Sequence, residues 1–215
     1  MPFTHSAGID EAGRGCVIGP LVVAIVAARE ADRRAFRAWN VRDSKIVPPA
    51  QRNELAKRIR ERCWFAWCAA SAEEVDAAVH DRQRTLNGLE RDLMAALLRR
   101  FRREHPTDDV SVLVDAPSIN ARAFEAQLGL AAGWDGRGRL SARHHADATD
   151  RTVGAASIIA KAERERFIAE LKEEVGADFG SGYSHDPRTI AHLRAVPPGA
   201  LHVRWSWSTA RMARD

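Results

Sequence analysis

Ser6-Ala-Gly-Ile-Asp10-Glu-Ala-Gly-Arg-Gly15-Cys-Val-Ile-Gly-Pro20-Leu-Val-Val-Ala-Ile25-Val-Ala-Ala28 is the stretch on which the reading of the fold turns. Residues 6–10 have the make-up of a short buried strand. The unbroken apolar run Leu21–Ala28 predicts a second strand, close enough to pair with the first as a hairpin. Between them lies a loop rich in glycine. Neighbouring residues of a strand face opposite ways, so Asp10 and Glu11 share one site only if Glu11 lies beyond the strand end. The glycines that follow make that departure easy, because they permit positive φ and bring backbone N–H groups close to a ligand. Arg14 between Gly13 and Gly15 is suited to a bidentate phosphate contact. By themselves these residues leave an ordinary turn open as a reading.

Outward from this stretch, strands alternate with helices. Pro48 and Pro49 open a helix running to Arg62, since proline is tolerated in a first turn. Cys63–Ala70 predicts a third strand. Thr85 caps a long helix in which Leu86, Leu89, Leu93, Leu97 and Phe101 recur at three- and four-residue spacing, ending before Pro106. Val110–Val114 is a fourth strand, followed by a short helix around Ala121–Leu128, a glycine turn near Gly133–Gly138 and a fifth strand near Leu140–His145. Residues 154–175 read as a helix. Its two apolar stripes, Ala155, Ile158, Ala162 and then Ile168, Leu171, Val175, do not align, which predicts different partners at its two ends. The loop Gly180–Pro187 leads to a terminal helical region. The expectation is one α/β domain over residues 1–215 with a mixed sheet and a helical C-terminal segment from about residue 176.

Composition narrows the class. The 215 residues can bury a core without disulfides. No apolar run approaches the ~20 residues needed to span a bilayer, and the N-terminus lacks a secretory pattern, so no membrane association and a cytoplasmic location are expected. The net charge of +4 favours a polyanionic partner only weakly. Of the 33 basic residues only Lys45, Lys57, Lys161 and Lys172 are lysines. Cys16, Cys63 and Cys68 read as core thiols. The separation of Cys63 and Cys68 along a strand would point them to opposite faces, which argues against a disulfide or zinc pair.

Asp115 ends a mostly apolar strand, where a carboxylate is costly unless its charge is offset. Asp147 stands just after the expected fifth strand. Ligand sites gather at the C-terminal ends of strands in α/β sheets. Together with Asp10 and Glu11 these acids could form a cage for Mg²⁺ or Mn²⁺, hard cations that prefer oxygen. Ordinary solvated acids remain an equal reading on these residues alone.

At this point the sequence resembles a known family. Gly8-Ile-Asp-Glu-Ala-Gly-Arg-Gly15 with Ile18-Gly19-Pro20 is similar to the opening motif of type 2 ribonucleases H. The similarity continues through Arg42-Asp43-Ser44-Lys45, Thr85-Leu86-Asn87, Val114-Asp115-Ala116 and His145-Ala146-Asp147. It ends with Ala155-Ala-Ser157-Ile-Ile-Ala-Lys161, Gly180-Ser-Gly-Tyr183 and Asp186-Pro-Arg188-Thr189, in family order over residues 7–207. The tail Val203-Arg-Trp-Ser-Trp-Ser-Thr209 resembles archaeal-type ribonuclease HII. Asp147, where ribonuclease HIII has a glutamate, and the start of the chain at the catalytic strand agree with HII.

The resemblance implies a ribonuclease H-like fold with a five-stranded mixed sheet flanked by helices. It implies that Asp10, Glu11, Asp115 and Asp147 are catalytic and hold two Mg²⁺ or Mn²⁺ ions, one for the attacking water and one for the departing 3′ oxygen. The implied activity is endonucleolytic cutting of the RNA strand of RNA–DNA hybrids and of duplex DNA 5′ of embedded ribonucleotides, leaving a 3′-hydroxyl and a 5′-phosphate. Gly13-Arg14-Gly15 would read the 2′-hydroxyl, the group that distinguishes RNA from DNA. Tyr183, the sole tyrosine, would pack on the following deoxyribose. Lys45 is expected to contact phosphate, with Ser157 and Arg188 as weaker candidates for backbone contact or support. Lys161 reads as a surface or supporting charge. His144, His145 and His185 read as ordinary polar residues, His145 being the best placed to support the site. A DNA-processing nuclease of the wider superfamily, transposase- or resolvase-like, is the alternative, and a non-catalytic hybrid-binding protein a third reading. The C-terminus carries no sliding-clamp motif, so a clamp partner is unsupported, and a monomer is expected by analogy.

Overall fold

The structure is a computed structural model that describes residues 5–42, 44, 47–81, 84–134, 136 and 138–213. Five strands form one sheet in the order β3-β2-β1-β4-β5. They are β1 (His5–Ala12), β2 (Leu21–Ala28), β3 (Trp64–Ala70), β4 (Val110–Asp115) and β5 (Arg139–Arg143). The helices are α1 (Glu30–Ala38), α2 (Pro49–Arg62), α3 (Ala72–His80), α4 (Thr85–Glu104), α5 (Ala121–Ala132), α6 (Ala146–Thr149), α7 (Arg151–Val175), α8 (Pro187–Ala195) and α9 (Ser208–Met212). The mixed α/β sheet expected from the sequence is present. Among the described residues no helix is long and apolar enough to cross a membrane.

Three helices were not anticipated, α1, α3 and the one-turn α6. In α1 only Phe36 and Asp32 are buried, too few apolar positions to set up a visible period. In α3 the signal is at the start: Ser71 Oγ accepts from the Glu74 N–H at 3.1 Å, and the Glu74 carboxylate accepts from the Ser71 N–H at 2.8 Å, a reciprocal capping box. Cys63 is the last residue after α2 rather than part of β3. The opposite-faces argument therefore does not apply to it, although all three cysteines are free. Burial pushes the Cys63 and Cys68 thiols up to about 12.

The chain forms two compact units. The first comprises Met1–Glu11, Val23–Cys68 and Glu90–Ala162, the second Ala12–Val22, Ala69–Leu89 and Glu163–Asp215. Helix α7 passes from one into the other after Ala162, which accounts for its two unaligned stripes.

In the first unit β1 and β4 run parallel with Ile9 opposite Val114, and β4 and β5 run parallel with Asp115 opposite Arg143. Side chains alternate between faces. One face carries Ala7 and Ile9, Val110, Val112 and Val114, and Ala142, which pack with Met94, Leu98 and Phe101 of α4 and Phe124 and Leu128 of α5. The other face carries Ser6, Gly8 and Asp10, Ser111, Leu113 and Asp115, then Arg139, Ser141 and Arg143. Helix α7 starts against this polar face. A Cβ on Gly8 would collide with the backbone of Thr152 and Val153, so only glycine admits the helix there. Asp150 caps that start, its Oδ1 accepting from the Thr152 N–H at 2.7 Å and the Val153 N–H at 3.2 Å.

The second unit has its own core of Val17, Ile18, Ile168, Phe179, Leu193, Val196, Val203 and Ala210, with an antiparallel bridge between Ile18 and Val203.

Gly8→Ala is expected to lower the unfolding free energy by about 3 kcal/mol, the upper part of the usual range for overpacking, because the obstacle is backbone. Urea unfolding followed by circular dichroism checks this. A loss under about 0.5 kcal/mol, the usual bound for a surface change, would show that α7 is not seated on β1 at Gly8.

Candidate active site

Asp10 lies on the central strand and is 4% exposed. Its Oδ1 accepts from the Glu11 N–H at 2.7 Å, and the Ser157 hydroxyl is hydrogen-bonded to it. Burial pushes the Asp10 pKa up to about 8. The Ser157 bond opposes that rise, and the nearby charges of Asp115 and Asp147 add to it. Ser157, on α7, shares a 2.9 Å hydrogen bond with the Ser44 hydroxyl, and its Oγ accepts from the Ser44 N–H at 3.4 Å. Asp115 closes β4, and its Oδ1 accepts from the Ala146 N–H at 2.8 Å. That bond ties the end of the strand to α6, where Asp147 is 4% exposed.

Two expectations need correction. Asp147 does not follow a strand directly. Strand β5 ends at Arg143, the chain reverses through His145 at φ 55°, and Asp147 is carried by a one-turn helix. Glu11 does not lie beyond the strand end either, since β1 continues to Ala12. The parallel register with β4 runs only to Ile9 and Val114, while β2 flanks the other edge of β1. Asp115 and Asp147 both act electrostatically on Asp10. Glu11 is half-buried and enters through its backbone N–H.

The donor set suits a divalent cation in kind: hard carboxylate oxygens, largely out of water, whose repulsion a cation would relieve. Among the described residues, however, no three acidic, histidine or cysteine side chains are already gathered as a ligand group. Asp10 and Asp115 each turn an oxygen to a backbone N–H instead. The residues fit the ion by chemistry, and its binding would draw them together.

The glycine loop and Tyr183 belong to the second unit. Gly13 has φ 88°, and a Cβ there would meet the Arg164 side chain and the Pro20 carbonyl. Gly15 is open on all sides. The Arg14 guanidinium donates to Asn87 Oδ1 at 2.7 Å. Two buried arginines, to which the sequence reading gave no role, hold this region. Arg204, fully buried, donates to the Gly19 carbonyl at 2.9 and 3.1 Å and to the Arg14 carbonyl at 3.0 Å. Arg164, 1% exposed, donates to the carbonyls of Ser181 at 3.1 Å and Ile18 at 3.3 Å. Its guanidinium lies 4.9 Å from the centre of the Tyr183 ring, and the His185 ring stacks on that tyrosine at 5.5 Å. Burial, with Cys16 nearby, pushes the Tyr183 hydroxyl up to about 12.

In sequence Arg164 sits within Glu163-Arg-Glu-Arg166, a run that reads as a solvated helix face; only its burial distinguishes it. Arg188 is exposed and donates to Asp178 at 2.9 Å, a structural ion pair. Lys45 lies outside the described residues. Lys161 is half-buried on α7. His144 pairs through Nε2 with the Ile119 carbonyl at 3.2 Å.

Asp186 brackets the tyrosine loop. Its Oδ2 accepts from the Ser181 N–H at 2.8 Å and its Oδ1 from the Arg188 N–H at 3.0 Å. These bonds, the Ser181 one foremost, draw its pKa down to about 2. A carboxylate whose pKa is lower folded than unfolded stabilises above its unfolded value, and the contribution is lost as pH falls through the folded one. Between about pH 4 and pH 2, wild type should therefore lose stability that Asp186→Asn does not lose. Parallel urea titrations across that range check it, and identical pH profiles would remove Asp186 as the bracket.

The family profile of ribonuclease HII matches residues 7–210. A ribonuclease HII of Archaeoglobus fulgidus is 40% identical over 212 residues, covering 97% of this chain and 96% of that protein. The structure of a PCNA:RNase HII complex from Archaeoglobus fulgidus is similar with a TM-score of 0.81 at 39% identity, over 94% of this chain and 95% of that one. The ribonuclease H2 of Pyrococcus horikoshii is similar with a TM-score of 0.80 at 32% identity, over 97% and 96% of the two chains.

Proposed function

This chain belongs to the ribonuclease HII family, and we propose that it cuts by metal-assisted hydrolysis at the acid cluster of its first unit. Membership makes it a ribonuclease H, an endonuclease acting on RNA–DNA hybrids. The finer reading is incision of the RNA strand, and of duplex DNA 5′ of a single embedded ribonucleotide, leaving a 3′-hydroxyl and a 5′-phosphate. The observation that carries it is the buried Asp10, 4% exposed, on which the charges of Asp115 at the end of β4 and Asp147 on α6 both act.

Asp10, Asp115 and Asp147 would hold two Mg²⁺ or Mn²⁺ ions, with Glu11 completing the set where β1 runs past its last pairing with β4 at Ile9; the ions when bound would supply activation of the attacking water and stabilisation of the departing oxygen. Burial disfavours the charge of Asp10, and a cation would offset that cost. Ser157 and Ser44 orient it, so that it offers its oxygens in one direction. The Asp115 bond to the Ala146 N–H sets the position of α6 and with it Asp147.

Ribose selection rests with Gly13-Arg14-Gly15 and Tyr183. Gly15, with open space around it, presents backbone to a 2′-hydroxyl without obstruction. Tyr183, steadied by Arg164 and His185, presents a ring for packing against a sugar. Arg204, which holds the Arg14 and Gly19 carbonyls, keeps the glycine loop in its shape.

The test is a labelled DNA duplex with one ribonucleotide, beside an all-DNA duplex and a long RNA–DNA hybrid, with Mg²⁺, Mn²⁺ or EDTA. Metal-dependent incision 5′ of the ribonucleotide is expected, with none in EDTA. Asp10→Asn should reduce the rate about a thousandfold, corresponding to several kcal/mol of metal-dependent stabilisation. Cutting of the hybrid alone would overturn the ribose-junction assignment of Gly13-Arg14-Gly15 and Tyr183. Cutting of the all-DNA duplex would instead identify a DNA-processing nuclease.

A further inference from the structure

The polar face of the sheet does not end at the acids. Behind them, toward the N-terminal ends of the same strands, lies a cavity of about 270 Å³. It is lined by Arg33, Arg139, Arg143, Ser6, Ser111 and Ser141. Arg33 comes from α1, and the strand registers put the other side chains on the face that carries Asp10 and Asp115: Ser6 is opposite Ser111, Ser111 opposite Arg139, Leu113 opposite Ser141, and Asp115 opposite Arg143. Among the described residues the one acid of the lining is Asp150, and its Oδ1 is already engaged by the N–H groups at the start of α7. Arg33 has a salt bridge to Glu30 at 3.3 Å. Arg139 and Arg143 are exposed, and their guanidinium groups have no ion pair or hydrogen bond among the described residues.

The Arg139 and Arg143 guanidinium groups, with Arg33 already paired to Glu30 and the Ser6 and Ser111 hydroxyls beside a Ser141 hydroxyl that donates to the Val112 carbonyl at 3.2 Å, make a receptor for a tetrahedral oxyanion. Arginine supplies paired donors in a fixed fork, and a hydroxyl supplies a further donor. From Ser111 to Asp115 the chain advances about 13 Å, and from Leu113 to Asp115 about 7 Å. Arg143, also in the lining, stands opposite Asp115, so at a rise of about 3.4 Å per nucleotide the cavity lies within about four nucleotides of the acids.

We propose that this cavity is a phosphodiester subsite that grips the backbone of the nucleic-acid substrate within about four nucleotides of the cut. The proposal rests on the reading of the chain as a hybrid-cutting nuclease and adds the place where one strand is anchored. A cluster of acids repels a polyanion, and the subsite counters that repulsion on the same face. Its contacts carry no base sequence, so it contributes register and affinity but no sequence preference.

The experiment compares wild type, Arg139→Ala/Arg143→Ala, Arg139→Lys/Arg143→Lys and a control with the same charge change outside the cavity, Arg34→Ala/Arg122→Ala. Binding of a fluorescent RNA–DNA hybrid is followed by anisotropy in EDTA from 50 to 200 mM salt, and cleavage is followed with Mg²⁺. The expected result is about tenfold weaker binding by the alanine pair, with a salt slope shallower by about one. The control should stay within about twofold, the lysine pair should recover part of the loss, and in cleavage KM should rise with little change in kcat. Equal losses in the alanine pair and the control would reduce the effect to general charge and overturn the subsite. Unchanged binding by the alanine pair in an enzyme that cuts hybrids would overturn the subsite alone. Wild type that neither binds nor cuts the hybrid would overturn the functional reading, and the subsite with it.

Discussion

A carboxylate on the innermost strand of a sheet loses most of the water that stabilises its charge, and the first unit is arranged around that cost at Asp10. Two donors, the Glu11 N–H and the Ser157 hydroxyl, are brought to it. They do not cancel the cost, since burial still dominates and two further acids act in the same direction. The placement of Ser157 depends on how α7 meets β1. That helix starts where Gly8 leaves room for its backbone, and Asp150 ties its first N–H groups. A glycine with no catalytic chemistry thus sets the distance at which a serine supports a buried acid. The residual electrostatic frustration is what a divalent cation can relieve, and buried charges persist in proteins chiefly where a partner ion or a function compensates them.

The second unit solves the opposite problem. Its loops contain carbonyls that no helix or strand satisfies, and an unsatisfied buried carbonyl is destabilising. Arg204 and Arg164 satisfy four of them between them. Burial draws the Arg204 pKa down to about 10, so it stays charged near neutral pH. Arginine suits this task better than lysine, because its planar fork reaches two carbonyls at once and is more weakly hydrated. The Arg164 guanidinium also faces the Tyr183 ring, an attraction that strengthens when both groups are desolvated. Loop shape and ring orientation are thereby carried by the same side chain.

Much of this was legible in the residues. The runs Leu21–Ala28 and Val110–Val114 have strand signatures that no tertiary context overrode, and Pro49–Arg62 and Thr85–Glu104 carry clear helix starts. The motif order pointed to the acids, and the structure places Asp115 and Asp147 within electrostatic reach of Asp10. What escaped was information held in three dimensions. Helix α1 has five charged residues in nine and a single buried aromatic. The reversal at His145 depends on a non-glycine residue in the left-handed region, which local propensity disfavours. Arg164 looks like any member of an alternating charged run until its burial is seen.

The same rule that gathers the acids also dictates what lies behind them. Parallel strands β1, β4 and β5 bring their C-terminal ends to one edge, and the two-residue period then commits alternate positions back along each strand to the same face. On the opposite face those positions are alanine, valine and isoleucine, because they meet α4 and α5. On the acid face, besides Gly8 and Leu113, they are serine and arginine at Ser6, Ser111, Arg139, Ser141 and Arg143. A face that served packing alone would have no reason to hold guanidinium groups in register with a strand that ends in a carboxylate. Arg143 stands opposite Asp115 in that register, so positive charge begins where the acids stop. A nuclease must accept a polyanion at a site that repels it, and placing arginines on the continuation of the same strands reconciles the two without altering the charge of the acids themselves.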